Sequence, residues 1–145
     1  MLELHNGALA VAHILKSWYE QEEHSNYGAF IPFVGTVREE DGIDGLSFDI
    51  YDPILTSWFE SWKQKAAKRG AIIKMAHSRG DVMVYQSSYI AAVFSPKRRV
   101  ALEFIDEFVE DFKASAPIWK YDLRNGKRIY ALDRSTEIAG SGILA

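Results

Sequence analysis

The sequence predicts an α+β fold with a mixed or antiparallel sheet and three main helices. Helix-forming and strand-forming stretches follow one another without the strict βαβ alternation of a parallel sheet. The length of 145 residues suits one domain, and 48% apolar with 26% charged residues is an ordinary globular composition. We therefore expect a single domain over residues 1–145, with a loose, glycine-rich tail from about Ile138.

Three stretches have the apolar spacing of amphipathic helices. The first runs from Ala8 to Glu22, and the second from Pro53 to about Arg69, where Gly70 favours termination. The third runs from about Lys97 to Ala114 and stops before Pro117. Large aromatic residues on the first two helices are expected to pack in the core or at a subunit interface: Trp18, Trp58, Phe59 and Trp62.

The first strands fall between these helices. Gly28 to Val37 is β-rich, and Pro32 within it favours an edge strand or a bulge. Residues 38–45 are polar with two glycines, which is typical of a loop, and Leu46 to Tyr51 predicts the next strand. Ser87 to Phe94 predicts a buried strand.

The remaining strands surround two turn signals. Ala71 to His77 and Asp81 to Val84 predict short strands on either side of a turn at Arg79-Gly80. Ile118 to Leu132 predicts a short hairpin, because Asn125-Gly126 is a strong turn dipeptide.

Composition excludes several kinds of site. The chain has no cysteine, which excludes disulfides, thiolate metal sites, a cysteine nucleophile and a persulfide on the chain itself. The four histidines lack the spacing of metal ligands, so we expect no metal site. The sequence also lacks the glycine motifs that bind phosphates or dinucleotides, so we expect no cofactor. With a net charge of −3, nucleic-acid binding is a weak alternative that rests on one local basic cluster.

The N-terminus and the hydropathy pattern bear on location. Met1 to His5 lacks the basic and apolar regions of a signal peptide, and no apolar run approaches the ~18–20 residues that span a bilayer. We therefore expect a cytoplasmic protein without membrane contact.

The basic cluster, Lys97-Arg98-Arg99, suggests an anion site at the start of the third helix. Ser95 is a suitable N-cap and Pro96 a suitable first helical residue. The three cations then stand in the first turn, where the helix dipole favours negative charge. Free N–H groups with added cations form a phosphate site, unless these cations simply pair with surface acids.

Three other cations are candidates for a site. Arg38 ends a hydrophobic strand beside a glycine-containing loop, which suits a binding residue and also a solvated strand end. Lys113 lies at the end of the third helix, and Lys120 follows Pro117-Ile118-Trp119. Because a lysine at a helix end is an ordinary dipole partner, the residues alone leave structural and catalytic roles open.

Four separated blocks together resemble the family of molybdopterin synthase catalytic subunits. They are Gly28 to Arg38, His77 to Gly80, Ser95 to Glu103, and Lys113 to Lys120. The last block is the most specific, since the family has lysine, a short spacer, proline, an apolar residue, tryptophan and lysine there. The resemblance runs from about Gly28 to Asp122.

The resemblance implies an α/β-hammerhead fold and a sulfurtransferase of molybdenum-cofactor biosynthesis. The enzyme would convert cyclic pyranopterin monophosphate, a pterin phosphate, into molybdopterin. Sulfur would come from the thiocarboxylate at the C-terminal Gly-Gly of a small ubiquitin-like subunit. A homodimer of this chain would carry one small subunit at each end, forming a heterotetramer. A chain without cysteine fits this scheme, because the partner delivers the sulfur.

The resemblance also assigns roles to the candidate cations. The family's two essential lysines correspond to Lys113, which contacts the tail terminus, and Lys120, which completes the reacting site. Arg38 corresponds to an arginine of the substrate-phosphate pocket. We expect the cations that begin the third helix to hold the same phosphate, with help from the dimer mate and a C-terminal arginine. The residues concerned are Lys97, Arg98 and either Arg128 or Arg134.

The chain departs from the family pattern in two places. Lys97-Arg98 stands where the family has His-Arg, which keeps the positive charge and removes an imidazole acid or base. The family's His-Arg-x-Gly appears as His77-Ser78-Arg79-Gly80, with the arginine shifted by one, and we assign no catalytic role to His77.

A second reading is a non-catalytic dimeric module that binds a phosphate ligand or a ubiquitin-like tail. The arginines and Lys97 would serve either function. The lysine pair separates the two, since a simple binder would tolerate the loss of either lysine.

Overall fold

The computed structural model describes residues 1–130, which form seven strands and three helices. The predicted α+β class with a mixed sheet is confirmed. The elements in chain order are β1 Leu2–Asn6, α1 Val11–Gln21, β2 Ala29–Thr36, β3 Gly45–Ile50, α2 Asp52–Lys68, β4 Ile72–Met83, β5 Ser87–Ser95, α3 Arg98–Ser115, β6 Ile118–Arg124 and β7 Lys127–Tyr130. The expected tail from Ile138 lies outside the described residues.

One open sheet holds the molecule together. Its strands lie in the order β2-β5-β4-β3-β6-β7, and every pair along this path is antiparallel. β1 adds a parallel pairing to β4. The edge strand β2 contains Pro32, as predicted, and exposes Phe33 and Val34.

The prediction of two short strands around a turn at Arg79-Gly80 is wrong. Residues 72–83 form the single strand β4, and Gly80 takes a φ of +82° within it. β1 pairs with Met75 to Arg79 and β3 pairs with Gly80 to Met83, so both halves are held in the sheet. Glycine bends the strand at little cost, because it has no Cβ to clash in this conformation.

Helices cover both faces of the sheet. α2 and α3 pack on one face, where Phe59, Trp62 and Phe108 join the largest core cluster. α1 packs on the other face through Ile14 and Trp18. The core role predicted for the helix aromatics is therefore confirmed, with Trp58 partly buried against the same core. No helix in the described part of the chain is long and apolar enough to cross a bilayer.

The hairpin predicted at the C-terminal side is also present. Asn125 and Gly126, with φ of 51° and 75°, form the turn between β6 and β7. This hairpin extends the sheet beyond β3, and its first strand carries Lys120.

Candidate active site

A cavity of about 210 Å³ brings the two predicted catalytic lysines together. Lys113 reaches it from the last turn of α3, and Lys120 reaches it from β6. The other lining side chains are mostly apolar or aromatic: Leu46, Phe48, His77, Ser88, Tyr89, Phe112, Ala116 and Ile118. We call this space the lysine cavity.

The turn from helix to strand explains how residues seven apart meet. α3 ends at Ser115, and Ala116 takes an extended conformation that Pro117 maintains. The chain then enters β6, where Lys120 pairs across the sheet with Phe48. Since cross-strand partners share a face, Lys120 is directed to the side that Phe48 lines.

The end of α3 is fixed by a carboxylate. The indole N–H groups of Trp58 and Trp62 donate to Asp111 Oδ2 at 2.9 and 2.7 Å, and the Ser115 hydroxyl donates to Oδ1 at 2.9 Å. Partial burial favours a higher pKa for Asp111, but the hydrogen bonds outweigh it and lower the pKa. This anchored carboxylate lies two residues before Lys113 and holds the helix end against α2.

The inner wall of the cavity contains two neutral polar side chains. His77 is fully buried, which lowers its pKa to about 4, and its Nδ1 bonds to the Ser78 carbonyl at 2.7 Å. Burial likewise raises the pKa of Tyr89. Tyr89 stacks on Phe112 with ring centroids 4.2 Å apart. These groups therefore stay uncharged near neutral pH.

The cavity suits an anion. Two lysines line it, and within residues 1–130 none of its lining side chains is a carboxylate. Lys113 is exposed and Lys120 is partly buried, and both lie beside largely aromatic and aliphatic walls. Among the same described residues there is no cluster of three or more side chains suited to a metal ion.

Arg38 lies at the same end of the sheet as the lysines. It follows Val37, which packs with Phe48 and Ile118 of the cavity wall. Its side chain is 82% exposed and forms one long ion pair with Glu40 at 3.8 Å. It is thus exposed at this end of the sheet but does not line the cavity.

The basic cluster lies at the other end of α3. The helix begins at Arg98 with Lys97 as its N-cap, so the prediction of Ser95 as N-cap and Pro96 as first helical residue is wrong. Ser95 remains in β5, paired with Ala29, although its Oγ still accepts from the Ala101 N–H at 3.1 Å.

A shallow depression lies beside this cluster. It is formed by Gly28, Pro96 and the three cations Lys97, Arg98 and Arg99. The side chain of any other residue at position 28 would start 2.5 Å from the Pro96 carbonyl oxygen, so the close approach requires glycine. From Arg98 to Lys113 the helix advances about 22 Å. One chain therefore does not bring Lys97 and Arg98 to the phosphate that Arg38 would hold.

Of the two candidate C-terminal arginines, the structure describes Arg128 alone. Arg128 bonds to Asp49 at 2.9 Å and lies over the Tyr121 ring at 4.0 Å. By strand alternation these residues face away from Lys120, so one chain does not bring Arg128 to the cavity. Arg134 lies outside the described residues.

Sequence reasoning missed Tyr89 and set His77 aside. A tyrosine within the otherwise small and aliphatic stretch from Ser87 to Val93 was the available signal for Tyr89. The signal for His77 was weaker, because a lone histidine in a strand is usually a core residue. The structure shows that both side chains line the lysine cavity, which makes them candidates for ligand contact.

Comparison with known proteins identifies relatives of this chain. The family model described as "MoaE protein" matches residues 6–115. The molybdopterin synthase catalytic subunit of Helicobacter pylori strain 26695 is 52% identical over 145 residues, covering 100% of both chains. Its counterpart from strain J99 is 43% identical over the same full length.

Solved structures agree. A protein–protein complex of subunits 1 and 2 of molybdopterin-converting factor from Helicobacter pylori 26695 contains a chain similar to this one, with a TM-score of 0.92 and 51% identity over 99% of each chain. A MoaE protein from Burkholderia ambifaria has the same fold, with a TM-score of 0.73 at 20% identity over 96% of this chain and 94% of that one.

Proposed function

This chain belongs to the MoaE protein family, and from that premise we propose how it works as the catalytic subunit of a molybdopterin synthase. Its activity is that of a sulfurtransferase, which moves sulfur from the thiocarboxylated C-terminus of a small ubiquitin-like subunit to cyclic pyranopterin monophosphate. The observation that carries the assignment of residues is the single cavity lined by both Lys113 and Lys120.

The two lysines act on the tail of the small subunit. Their ammonium groups attract the thiocarboxylate into a cavity whose other described walls carry no opposing charge. The sulfur bonds to the substrate carbon in place of an oxygen substituent and stays bound to the acyl carbon. Water or a lysine amine then adds to that acyl carbon and breaks its bond to sulfur, which leaves the sulfur on the substrate. The other lysine accepts the proton that the water or the amine loses.

The small subunit is the source of sulfur. The structure of the Helicobacter pylori relative contains subunits 1 and 2 of molybdopterin-converting factor together. The present chain has no cysteine that could hold sulfur itself. We therefore assign delivery of the activated sulfur to the partner.

The substrate phosphate would be held by two copies of this chain. Arg38 lies at the same end of the sheet as the two lysines, whereas Lys97 and Arg98 lie about 22 Å along α3 from Lys113. A mate that presents the start of its α3 to the cavity resolves this separation. The edge strand β2, with Phe33 and Val34 exposed, supports such a homodimer. Arg128 or Arg134 of the mate would add a further cation.

With one small subunit bound to each copy, the assembly is a heterotetramer. A cytoplasmic location is part of this proposal. It is tested by fractionating cells that express the chain and locating it together with the small subunit.

Reconstitution tests the proposal directly. The purified chain is mixed with a thiocarboxylated small subunit and cyclic pyranopterin monophosphate, and the dithiolene product is measured. Lys113→Ala and Lys120→Ala should each lower turnover by about a hundredfold, or about 2.7 kcal/mol of barrier. Lys16→Ala is the matched control, because Lys16 pairs with Glu20 on the exposed side of α1.

The outcome also decides between this function and a non-catalytic binding module. A stable complex that yields no product from the unmodified chain would support the module. Full turnover by both lysine variants would refute the assigned roles of the two lysines.

A further inference from the structure

The lysine cavity has a polar group in its wall that no protein atom satisfies. Tyr89 is 6% exposed, and its hydroxyl is buried without a hydrogen-bond partner. Within residues 1–130 only one other buried side-chain atom, Ser78 Oγ, is in this condition. Because an unsatisfied buried hydroxyl lowers stability, its presence at a cavity suggests that the partner arrives with a ligand.

His77 supplies a complementary group beside it. The Ser78 carbonyl can only accept, so the Nδ1 that bonds to it must carry the hydrogen. In the neutral ring Nε2 is then an acceptor. His77 and Tyr89 are cross-strand partners on β4 and β5, with ring centroids 5.9 Å apart. The cavity wall therefore offers one hydroxyl donor and one nitrogen acceptor side by side.

We propose that Tyr89 and His77 form an amide-binding subsite that positions the C-terminal Gly-Gly tail of the small subunit, an inference that rests on the function proposed above. The Tyr89 hydroxyl donates to a peptide carbonyl of the tail. His77 Nε2 accepts from a peptide N–H of the tail. Lys113 and Lys120 hold the charged end, and the neutral pair holds the uncharged peptide behind it.

The dimensions of the cavity favour the tail over the pterin ring system. Its volume of about 210 Å³ is below the ~300–1,000 Å³ of sites that enclose drug-sized ligands. Two glycines have no side chains to accommodate. The face-to-face stacking of Tyr89 on Phe112, with an interplanar angle of 9°, fixes the ring that carries the hydroxyl. A fixed donor costs little entropy when the tail binds.

The test removes the hydroxyl and leaves the ring. The full-length chain and its Tyr89→Phe variant are titrated with the small subunit, either intact or lacking its two terminal glycines. We expect Tyr89→Phe to weaken binding of the intact partner about tenfold, equivalent to about 1.4 kcal/mol, and to leave binding of the truncated partner unchanged. Its melting temperature should not fall, because the hydroxyl has no partner to lose.

Two controls accompany this comparison. Tyr19→Phe removes a hydroxyl from an exposed ring on α1 and should bind both partners like the unmodified chain. His77→Gln keeps an acceptor near the position of Nε2, whereas His77→Asn does not. His77→Gln should therefore bind the intact partner more tightly than His77→Asn. Equal binding by these two His77 variants would remove His77 from the subsite.

Turnover measurements separate the remaining outcomes. Tyr89→Phe should raise the KM for the small subunit and leave the KM for the pterin phosphate unchanged. A rise confined to the pterin KM would mean that the ligand is the lactam of the pterin, and equal weakening with the truncated partner would mean a packing role. Either result overturns the subsite. An inactive unmodified chain that still shows the tail-dependent loss would refute the proposed function alone.

Discussion

A complementation experiment tests whether each active site is shared between two copies of the chain. The Lys113→Ala variant loses a cavity lysine, and the Arg98→Ala variant loses a cation at the far end of the same helix. If the cavity of one copy uses Arg98 of the other, both homodimers are defective at both of their sites. We expect a loss in turnover of about a hundredfold for Lys113→Ala, as above, and of about ten- to a hundredfold for Arg98→Ala, as for a hydrogen bond to a charged group.

The heterodimer of the two variants behaves differently. One of its sites combines both defects, whereas the other combines an intact Lys113 with an intact Arg98. Random exchange in an equal mixture gives about half heterodimers, each with one working site of two, so turnover should recover to about a quarter of the unmodified value. Heterodimers purified through two different tags should reach about half.

The assay is dithiolene formation with the thiocarboxylated small subunit in excess, before and after subunit exchange. Lys113→Ala mixed with Lys120→Ala is the matched control, because both lysines line the cavity of one chain and no heterodimer can restore a site. Turnover that stays at the mean of the two homodimers in the Lys113→Ala and Arg98→Ala mixture would refute the shared site.

Two further predictions concern stability. Burial lowers the pKa of His77 from 6.5 to about 4. Between these two pH values the unfolded chain therefore binds one proton more than the folded chain. The free energy of unfolding should fall by about 3 kcal/mol as the pH drops from 6.5 to 4. Chemical denaturation across this range should show this decrease for the unmodified chain and a smaller decrease for His77→Gln. An equal decrease for both proteins would mean that His77 is not its source. Asp111→Ala removes the acceptor of Trp58, Trp62 and Ser115 and should lower the free energy of unfolding by about 2 kcal/mol. Asp106→Ala, at an exposed position of the same helix, should change the free energy of unfolding by less than about 0.5 kcal/mol. Equal losses for the two variants would show that the hydrogen bonds of Asp111 do not stabilise the fold.

Local patterns predicted the elements whose determinants are local. The three helices follow from apolar spacing, and the β6–β7 hairpin follows from Asn125-Gly126. β1 was missed because its five residues gain their stability from β4, some 70 residues away. The same long-range pairing keeps β4 continuous through Arg79-Gly80, where the local signal favours a turn.

The sequence nominated the lysines of the candidate site, whereas the spatial arrangement of the other candidate residues depends on the fold. The block from Lys113 to Lys120 identified two lysines that the structure brings to one cavity. The sequence patterns did not show that the length of α3 separates Lys97 and Arg98 from Lys113 within one chain. The engagement of Arg128 with Asp49 depends on a side chain 79 positions earlier, which no local pattern reveals.

The two indoles that anchor α3 also provide an intrinsic fluorescence signal near the lysine cavity. Trp58 and Trp62 share the Asp111 carboxylate, two residues from a lysine of the cavity. Indole emission responds to the electric field of a nearby charge, and that field varies steeply with distance. A tail that enters the cavity and displaces the end of α3 by a fraction of an ångström would therefore register as a change in intrinsic fluorescence, so binding could be followed on unlabelled protein in a stopped-flow instrument.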